Sequence, residues 1–169
     1  MGKTQVHAHI VLQADTLPKF LAALKAVGDM EVLVGFPEST AERDDEDGIT
    51  NAYLGAIMDK GSPAQGIPAS HFMDKGIEEA KAKIETALSA SAGAVLDGNL
   101  ARAEGGQDAA GLAAVTGIRR KIIAGPWKPL AASTLAARRR RGVTRTARFI
   151  DTGQLIAALT YIKRKIRRT

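Results

Sequence analysis

The sequence predicts an α+β fold: a small, mostly antiparallel sheet with one long helix and several short helices packed on it. Apolar and polar residues alternate over residues 4 to 13, and a short apolar run occupies residues 30 to 36, as is typical of strands. Tyr161, Ile162 and Ile166 indicate a last strand over residues 158 to 166. From Met73 onward, apolar residues recur at spacings of three and four, which predicts a long helix ending near residue 103. The whole chain of 169 residues has the length of a single domain.

Two short amphipathic helices are predicted in the first half of the chain. The first has Asp15 or Thr16 as its N-cap and ends at Gly28. Its apolar face comprises Phe20, Leu21, Leu24 and Val27. The following strand ends at Gly35, and the second helix ends at Gly61. The apolar face of that second helix comprises Ala52, Tyr53, Ala56 and Ile57.

The loop after the second helix is predicted to be extended, because its backbone is fixed by Pro63, Gly66 and Pro68. Ile67 and Phe72 are apolar, and we expect them to hold the start of the long helix against the sheet. His71 has no carboxylate or second histidine close in sequence, so we interpret it as a structural residue.

A further helix is predicted before Trp127. Gly105 and Gly106 predict an interruption between two helices, and a helical insertion is predicted over about residues 104 to 126. Within this insertion, the apolar residues at helical spacing are Leu112, Val115, Ile118 and Ile122.

The basic C-terminal region, residues 127 to 169, contains signals for two more helices. Ser133 or Thr134 would begin a helix whose last turn is Arg138 to Arg141, where cations suit the negative end of the helix dipole. The second helix is short and precedes the last strand. Asp151 or Thr152 would cap it, and Gly153 would allow close packing there.

The charge is divided along the chain. The net charge is +6, but residues 29 to 85 carry thirteen acids and five bases, many of the acids in a predicted loop over residues 37 to 50. Residues 119 to 169 carry fifteen bases and one acid. Such a division indicates either nucleic acid bound to the basic region or copies of the chain that associate through opposite charges. Both interpretations stay open for Arg138, Arg139, Arg140 and Arg141.

No motif for catalysis, a cofactor or a metal is present in the sequence. The chain has no cysteine, so thiolate-rich metal sites are excluded. A nucleophile elbow, a zinc-protease helix motif and a paired-acid pattern are all missing. No stretch reaches the roughly 18 apolar residues of a membrane span. We therefore expect neither an enzyme nor a membrane partner.

Several segments occur in an order that carries a resemblance. They are VLVGF, NAYLGAIMDKGSP, GIPASHF, a long helix, IRRKII, WKPLAASTLAARRRRG and FIDTGQLIAAL. This order resembles the virion morphogenesis proteins of tailed bacteriophages, the tail-completion or neck components that join head to tail. The residues that we assign to fold and assembly are Gly35, Tyr53, Gly61, Ile67, Pro68, Phe72, Trp127, Leu130, Thr134, Asp151, Thr152, Gly153 and Leu155. Ser70 and His71 stand where the family has arginine and proline, so we carry over no contact of that arginine.

The resemblance implies a structural virion protein without catalytic residues. It implies a homo-oligomeric ring, naturally of six copies, at the head-tail junction. The implied partners are other neck, tail-terminator or tail-tube proteins, and genome DNA that passes through the ring. The implied location is the virion neck, after assembly in the host cytoplasm.

Two other functions are weighed beside this one. The alternative is a basic DNA-binding or packaging accessory protein, in which Arg138 to Arg141 contact phosphates. A hydrolase is the weakest. From the charge division, we also expect copies to associate head to tail, with Arg138 to Arg148 or Lys163 to Arg168 of one copy approaching Glu38 to Asp47 or Glu78 to Glu85 of the next.

Overall fold

The structure is a computed structural model that describes residues 16 to 40 and 48 to 166. Within these ranges the chain forms a two-stranded antiparallel sheet and six α-helices, which confirms the predicted α+β fold. The strands are β1 (Met30–Gly35) and β2 (Thr160–Lys165). The helices are α1 (Thr16–Gly28), α2 (Asn51–Lys60), α3 (Phe72–Leu96), α4 (Leu100–Ala124), α5 (Ala132–Arg140) and α6 (Gln154–Ala158).

The sheet pairs two strands that are far apart in sequence. Met30 lies opposite Lys165, and Gly35 lies opposite Thr160. The predictions of strands near residues 30 to 36 and 158 to 166 are therefore confirmed to within two residues. The strand predicted over residues 4 to 13 lies outside the described residues, and so do residues 41 to 47, half of the predicted acidic loop.

The long-helix prediction needs a correction, because the chain has two long helices where one was expected. α3 and α4 each contain 25 residues and form an antiparallel hairpin. The turn between them lies at Asp97–Asn99, where Gly98 adopts a left-handed backbone with φ of 66°. The Asn99 side chain accepts a hydrogen bond from Arg102 N and so caps α4.

Gly105 and Gly106 do not interrupt the helix as predicted, since both lie inside α4. Gly106 instead allows the two helices to approach closely, because a Cβ atom there would lie 2.6 Å from Ser91 Cβ of α3. Gly117 has the same role further along, where a Cβ atom would lie 2.7 Å from Ala80 Cβ. A glycine within a helical pattern was therefore a packing signal here.

Two apolar clusters hold the elements together. The main core joins α3, α4 and the chain around β2, through Phe72, Val115, Ile118, Ile122, Phe149 and Leu159. The second cluster attaches α1 to the turn end of the hairpin, through Ala23, Ala94, Val95 and Ala103. Because this second cluster consists mostly of alanines, only a narrow stripe of α1 reaches it. Phe20 and Val27 pack there, whereas Leu21 and Leu24 of the predicted apolar face are exposed.

The predicted apolar face of α2 is also wrong. The buried residues of α2 are Asn51, Gly55 and Asp59, while the Tyr53 side chain is 57% exposed. The buried face of α2 consists of polar or small residues because it packs against the backbone at Thr40 and the ring of Phe36. Asn51 Nδ2 donates to the carbonyl oxygen of Thr40 at 2.9 Å, and a Cβ atom on Gly55 would lie 2.7 Å from Phe36 Cδ2.

Candidate assembly site

Arg138 lies at the centre of the region that joins α5 to α6. It is only 5% exposed. Its guanidinium donates four hydrogen bonds to main-chain carbonyl oxygens, those of Arg145, Ala147, Arg148 and Ile150, at 2.8 to 3.2 Å. The prediction that Arg138 contacts a phosphate or a neighbouring subunit is therefore corrected. Its planar set of donors satisfies carbonyl groups of a segment without regular secondary structure.

Asp151 completes this arrangement. Arg138 Nε lies 3.5 Å from Asp151 Oδ1, and Arg141 Nη2 donates to Asp151 Oδ2 at 2.8 Å. Arg145 Nη1 donates to the carbonyl oxygens of Asp151 and Thr152 at 3.2 and 2.7 Å. Arginines on both sides thus hold this turn, and the role of Arg145 was missed by the sequence analysis. No local pattern distinguishes it from the other basic residues nearby.

The predicted helix caps are wrong at both helices of this region. α6 has Gly153 as its N-cap, without a side-chain cap, and Asp151 is bound to arginines instead. Thr152 Oγ1 lies 3.5 Å from Gln154 N, at the limit of a hydrogen bond. Gly153 has a φ of 95°, so glycine is favoured there by the left-handed backbone and not by the expected close packing. α5 begins at Ala132 with no side-chain cap, so neither Ser133 nor Thr134 opens it.

Most of the motif residues from the C-terminal region line one cleft of about 350 Å³. They are Leu130, Thr134, Arg138, Arg141, Asp151, Thr152, Gly153 and Leu155. Leu54 and Met58 of α2 form part of the same wall. Leu130, Thr134 and Arg138 are spaced four residues apart. That spacing is the signal that could have separated Arg138 from Arg139 and Arg140, which are exposed.

Trp127 and Phe72 belong to the core next to this cleft. The Trp127 ring packs edge-to-face with the Phe149 ring at 5.0 Å between centroids. The centroid of the Phe72 ring lies 5.7 Å from that of Phe149. Trp127 Nε1 donates to the carbonyl oxygens of Lys121 and Ile122 at the end of α4. Trp127 therefore adds a donor at the end of α4, where the Lys121 carbonyl oxygen also accepts from Gly125 N.

The remaining motif residues shape the loop before α3. Ser62 and Ile67 exchange two backbone hydrogen bonds, which close the loop, while Pro68 is exposed. Gly61 has a φ of 81°, and a Cβ atom there would lie 2.6 Å from Ala69 N. Gly35 lies elsewhere, at the end of β1.

Among the described residues, Asp59, His71 and Asp74 form the only set of three histidine or acidic groups with ligand atoms within 4.8 Å of one another, so His71 does lie beside carboxylates, contrary to the premise of the sequence analysis. Asp59 Oδ1 already accepts a hydrogen bond from Met73 N at the start of α3. The Lys60 ammonium lies 3.1 Å from Asp59 Oδ2 and 3.6 Å from Asp74 Oδ2, so a cation of the chain balances both carboxylates. This geometry fits a polar attachment between α2 and α3 better than a metal centre.

The electrostatics of this attachment are visible in one residue. The hydrogen bond to Asp59 and then the attraction of Asp59 and Asp74 raise the pKa of Lys60 above its ordinary value of 10.5. The folded state therefore favours the charged form of Lys60.

None of the helices in the described parts of the chain has the length and apolar content needed to cross a bilayer. No protein-family model, no curated protein and no solved structure matches this chain.

Proposed function

We propose that this chain is a structural virion protein of a tailed phage, a tail-completion or neck component that forms a ring at the head-tail junction. In this proposal it is not an enzyme and uses no cofactor. Its partners are further copies of itself, other neck, tail-terminator or tail-tube proteins, and the genome DNA. It would act in the virion after assembly in the host cytoplasm.

The observation that carries this proposal is the convergence of the C-terminal motif residues on Arg138 and its cleft. These residues are the ones on which the resemblance to phage neck proteins depends. In this chain they satisfy carbonyl groups and shape a wall. Such a use suits a protein whose function resides in its surfaces.

An exposed apolar stripe on α1 supports the self-association part of the proposal. Leu17, Leu21 and Leu24 are spaced four and three residues apart and are 61%, 53% and 49% exposed. Scattered exposed leucines are ordinary, but a stripe along one helix is typical of a protein contact surface.

The experiment that tests the proposal is head-tail joining. Heads and tails from particles made without this chain are mixed with the purified protein, and joined particles are counted by electron microscopy. We expect joined particles only when the protein is added. Separate heads and tails in its presence would contradict the proposed function.

A matched pair of variants links joining to self-association. Leu21→Glu places a charge in the α1 stripe, and we expect it to lower both the oligomer mass in light scattering and the joined fraction. Leu88→Glu is the control, because Leu88 is an exposed leucine of α3 outside the stripe. If both variants assemble like the wild type, the stripe is not the contact surface.

The alternative is a DNA-binding or packaging accessory protein. It is favoured by Arg139 and Arg140, which are exposed and make no ion pair among the described residues. A protein of this kind would bind DNA without a partner protein, and its affinity would fall steeply with salt. It would not join isolated heads to tails.

A further inference from the structure

A second cavity, of about 220 Å³, lies next to the cleft and shares Arg148 with it. Three cationic side chains from separate parts of the chain line this cavity: Lys75 of α3, Lys128 and Arg148. None of the acidic residues that the structure describes lines it. Its remaining walls include Trp127 and the prolines at 68 and 126, so we name it the Trp127 pocket.

Lys75, Trp127 and Arg148 each have contacts within the fold at the Trp127 pocket. Lys75 Nζ donates to the carbonyl oxygen of Ser70 at 2.7 Å and lies 5.6 Å from the centroid of the Trp127 ring. The indole is fixed by its own hydrogen bonds to the end of α4. The Arg148 guanidinium carbon lies 5.8 Å from the Phe149 ring. A bound anion would therefore require little further ordering of Lys75 and the indole.

These three cations differ from Arg138 and Arg141 because they have no carboxylate partner among the described residues. Arg138 and Arg141 share the carboxylate of Asp151. Within residues 16 to 40 and 48 to 166, neither Lys75, Lys128 nor Arg148 pairs with a carboxylate. Three cations converging without a counter-charge raise the local concentration of anions.

We propose that the Trp127 pocket binds phosphate groups of a nucleic acid backbone, through Lys75, Lys128 and Arg148. A polyanion fits better than a single small anion because the cations are not enclosed in one small volume: Arg148 also lines the cleft, and Lys128 is exposed. Arg141 of that cleft is already paired with Asp151 and is not counted among these cations. A strip of cations of this kind follows a phosphate backbone.

The contact would be independent of base sequence. Trp127 Nε1 already donates to two carbonyl oxygens, and its ring contacts Phe149 and Lys75. The indole is therefore not arranged to stack on a base or to read a base edge, and only phosphate contacts remain. This inference deepens the proposed function and rests on it for the genome DNA as partner, although a single subunit would bind as well as a ring.

The test uses Trp127 as its own reporter, since the chain has one tryptophan. The full chain is titrated with a duplex DNA oligonucleotide of arbitrary sequence, and tryptophan fluorescence gives the affinity. Three phosphate contacts predict a loss of roughly 40-fold in affinity between about 50 and 200 mM salt. We expect a saturable signal that is the same for a second, unrelated DNA sequence. No saturable signal for either DNA would overturn the proposal.

Paired variants localise the contact. Lys128→Gln and Arg148→Gln each remove one pocket cation, and we expect each to weaken DNA binding about tenfold near 100 mM salt and to lower the salt slope by about 1. Arg139→Gln and Arg140→Gln remove the same charge outside the pocket and should change affinity less than about twofold. Thermal unfolding confirms that each variant is folded, and exposed Lys128 is the safest position to change.

Two results would overturn the proposal. Equal losses in the pocket variants and the Arg139 and Arg140 variants would mean that DNA senses only the overall charge. A polyglutamate peptide that binds more tightly than DNA, and loses affinity in the pocket variants, would assign the pocket to an acidic protein segment. Neither result bears on head-tail joining, so the proposed neck function is tested separately.

Discussion

The α3–α4 hairpin and the Arg138 region, residues 127 to 155, are held together by opposite means. In the hairpin, two long helices meet nearly backbone to backbone at Gly106 and Gly117. In the Arg138 region, one buried guanidinium binds four carbonyl groups. The difference follows from the backbone. A helix satisfies its own carbonyls and leaves packing to decide its stability, whereas an irregular segment needs donors from a side chain.

The largest effect is expected from removing the guanidinium. Arg138→Met keeps much of the side-chain volume but leaves four carbonyl groups without this donor and Asp151 without one of its two cations. We expect the free energy of unfolding to fall by about 3 to 5 kcal/mol. Chemical denaturation of the purified protein measures this loss.

Arg139→Met is the matched control, because Arg139 is the exposed neighbour in the same helix. We expect it to change stability by less than about 0.5 kcal/mol. Arg138→Lys should remain close to Arg138→Met, since one ammonium cannot reach all four carbonyls. Equal stability of Arg138→Met and Arg139→Met would show that the guanidinium bonds are not what holds this region.

A smaller effect is expected from one added methyl group in the hairpin. In Gly117→Ala, the new Cβ atom would lie 2.7 Å from Ala80 Cβ, so the helices would have to separate. Overpacking of this kind costs about 1 to 3 kcal/mol. The melting temperature in a calorimeter should fall accordingly.

Gly105→Ala, in the same helix, should change the free energy of unfolding in the opposite direction. A Cβ atom at Gly105 would meet nothing within 4 Å, so only the helix propensity changes. We expect this variant to gain up to about 1 kcal/mol. A destabilised Gly105→Ala, or a tolerated Gly117→Ala, would mean that close approach is not the reason for these glycines.

The same contrast explains which features the sequence predicts. The α+β class and both described strands follow from local periodicity, so a single sequence suffices for them. The hairpin turn was misplaced because glycine serves both as a helix breaker and as a point of close contact. The position of the partner helix decides which of these roles a glycine has. Gly106 is a close-contact glycine because Ser91 of α3 lies against it.

The sites depend even more on the tertiary structure. The run of four arginines looks uniform in sequence, yet Arg138 is buried, Arg141 is paired and the two between them are exposed. The Trp127 pocket draws its cations from positions 75, 128 and 148. No local spacing relates these positions, so a pocket lined by these three cations could not be predicted from the sequence.

Between these two kinds of attachment lies a third and weaker one, at the join of α2 and α3. Lys60 is a 64% exposed side chain that bridges Asp59 and Asp74. Asp59 is buried, but the Lys60 ammonium stays in solvent, and an ion pair with a solvated cation contributes little and is screened by salt. The effect of Lys60 should therefore be the smallest of the three, and pH is the way to detect it.

Because the pKa of Lys60 is raised in the folded state, its charged form stabilises the fold. This contribution is fully present below the unfolded pKa and is lost as pH rises through the higher folded pKa. Lys60→Gln should therefore be slightly less stable than the wild type at neutral pH, with the difference vanishing only as pH rises above 10.5. Denaturation of both proteins across a pH series, at low and high salt, measures this difference in stability.

Lys81→Gln is the control, since Lys81 is a similarly exposed lysine of α3 with a single weak pair. A difference for Lys60→Gln that stays constant through pH 10.5 and is indifferent to salt would indicate a packing role for the lysine stem instead.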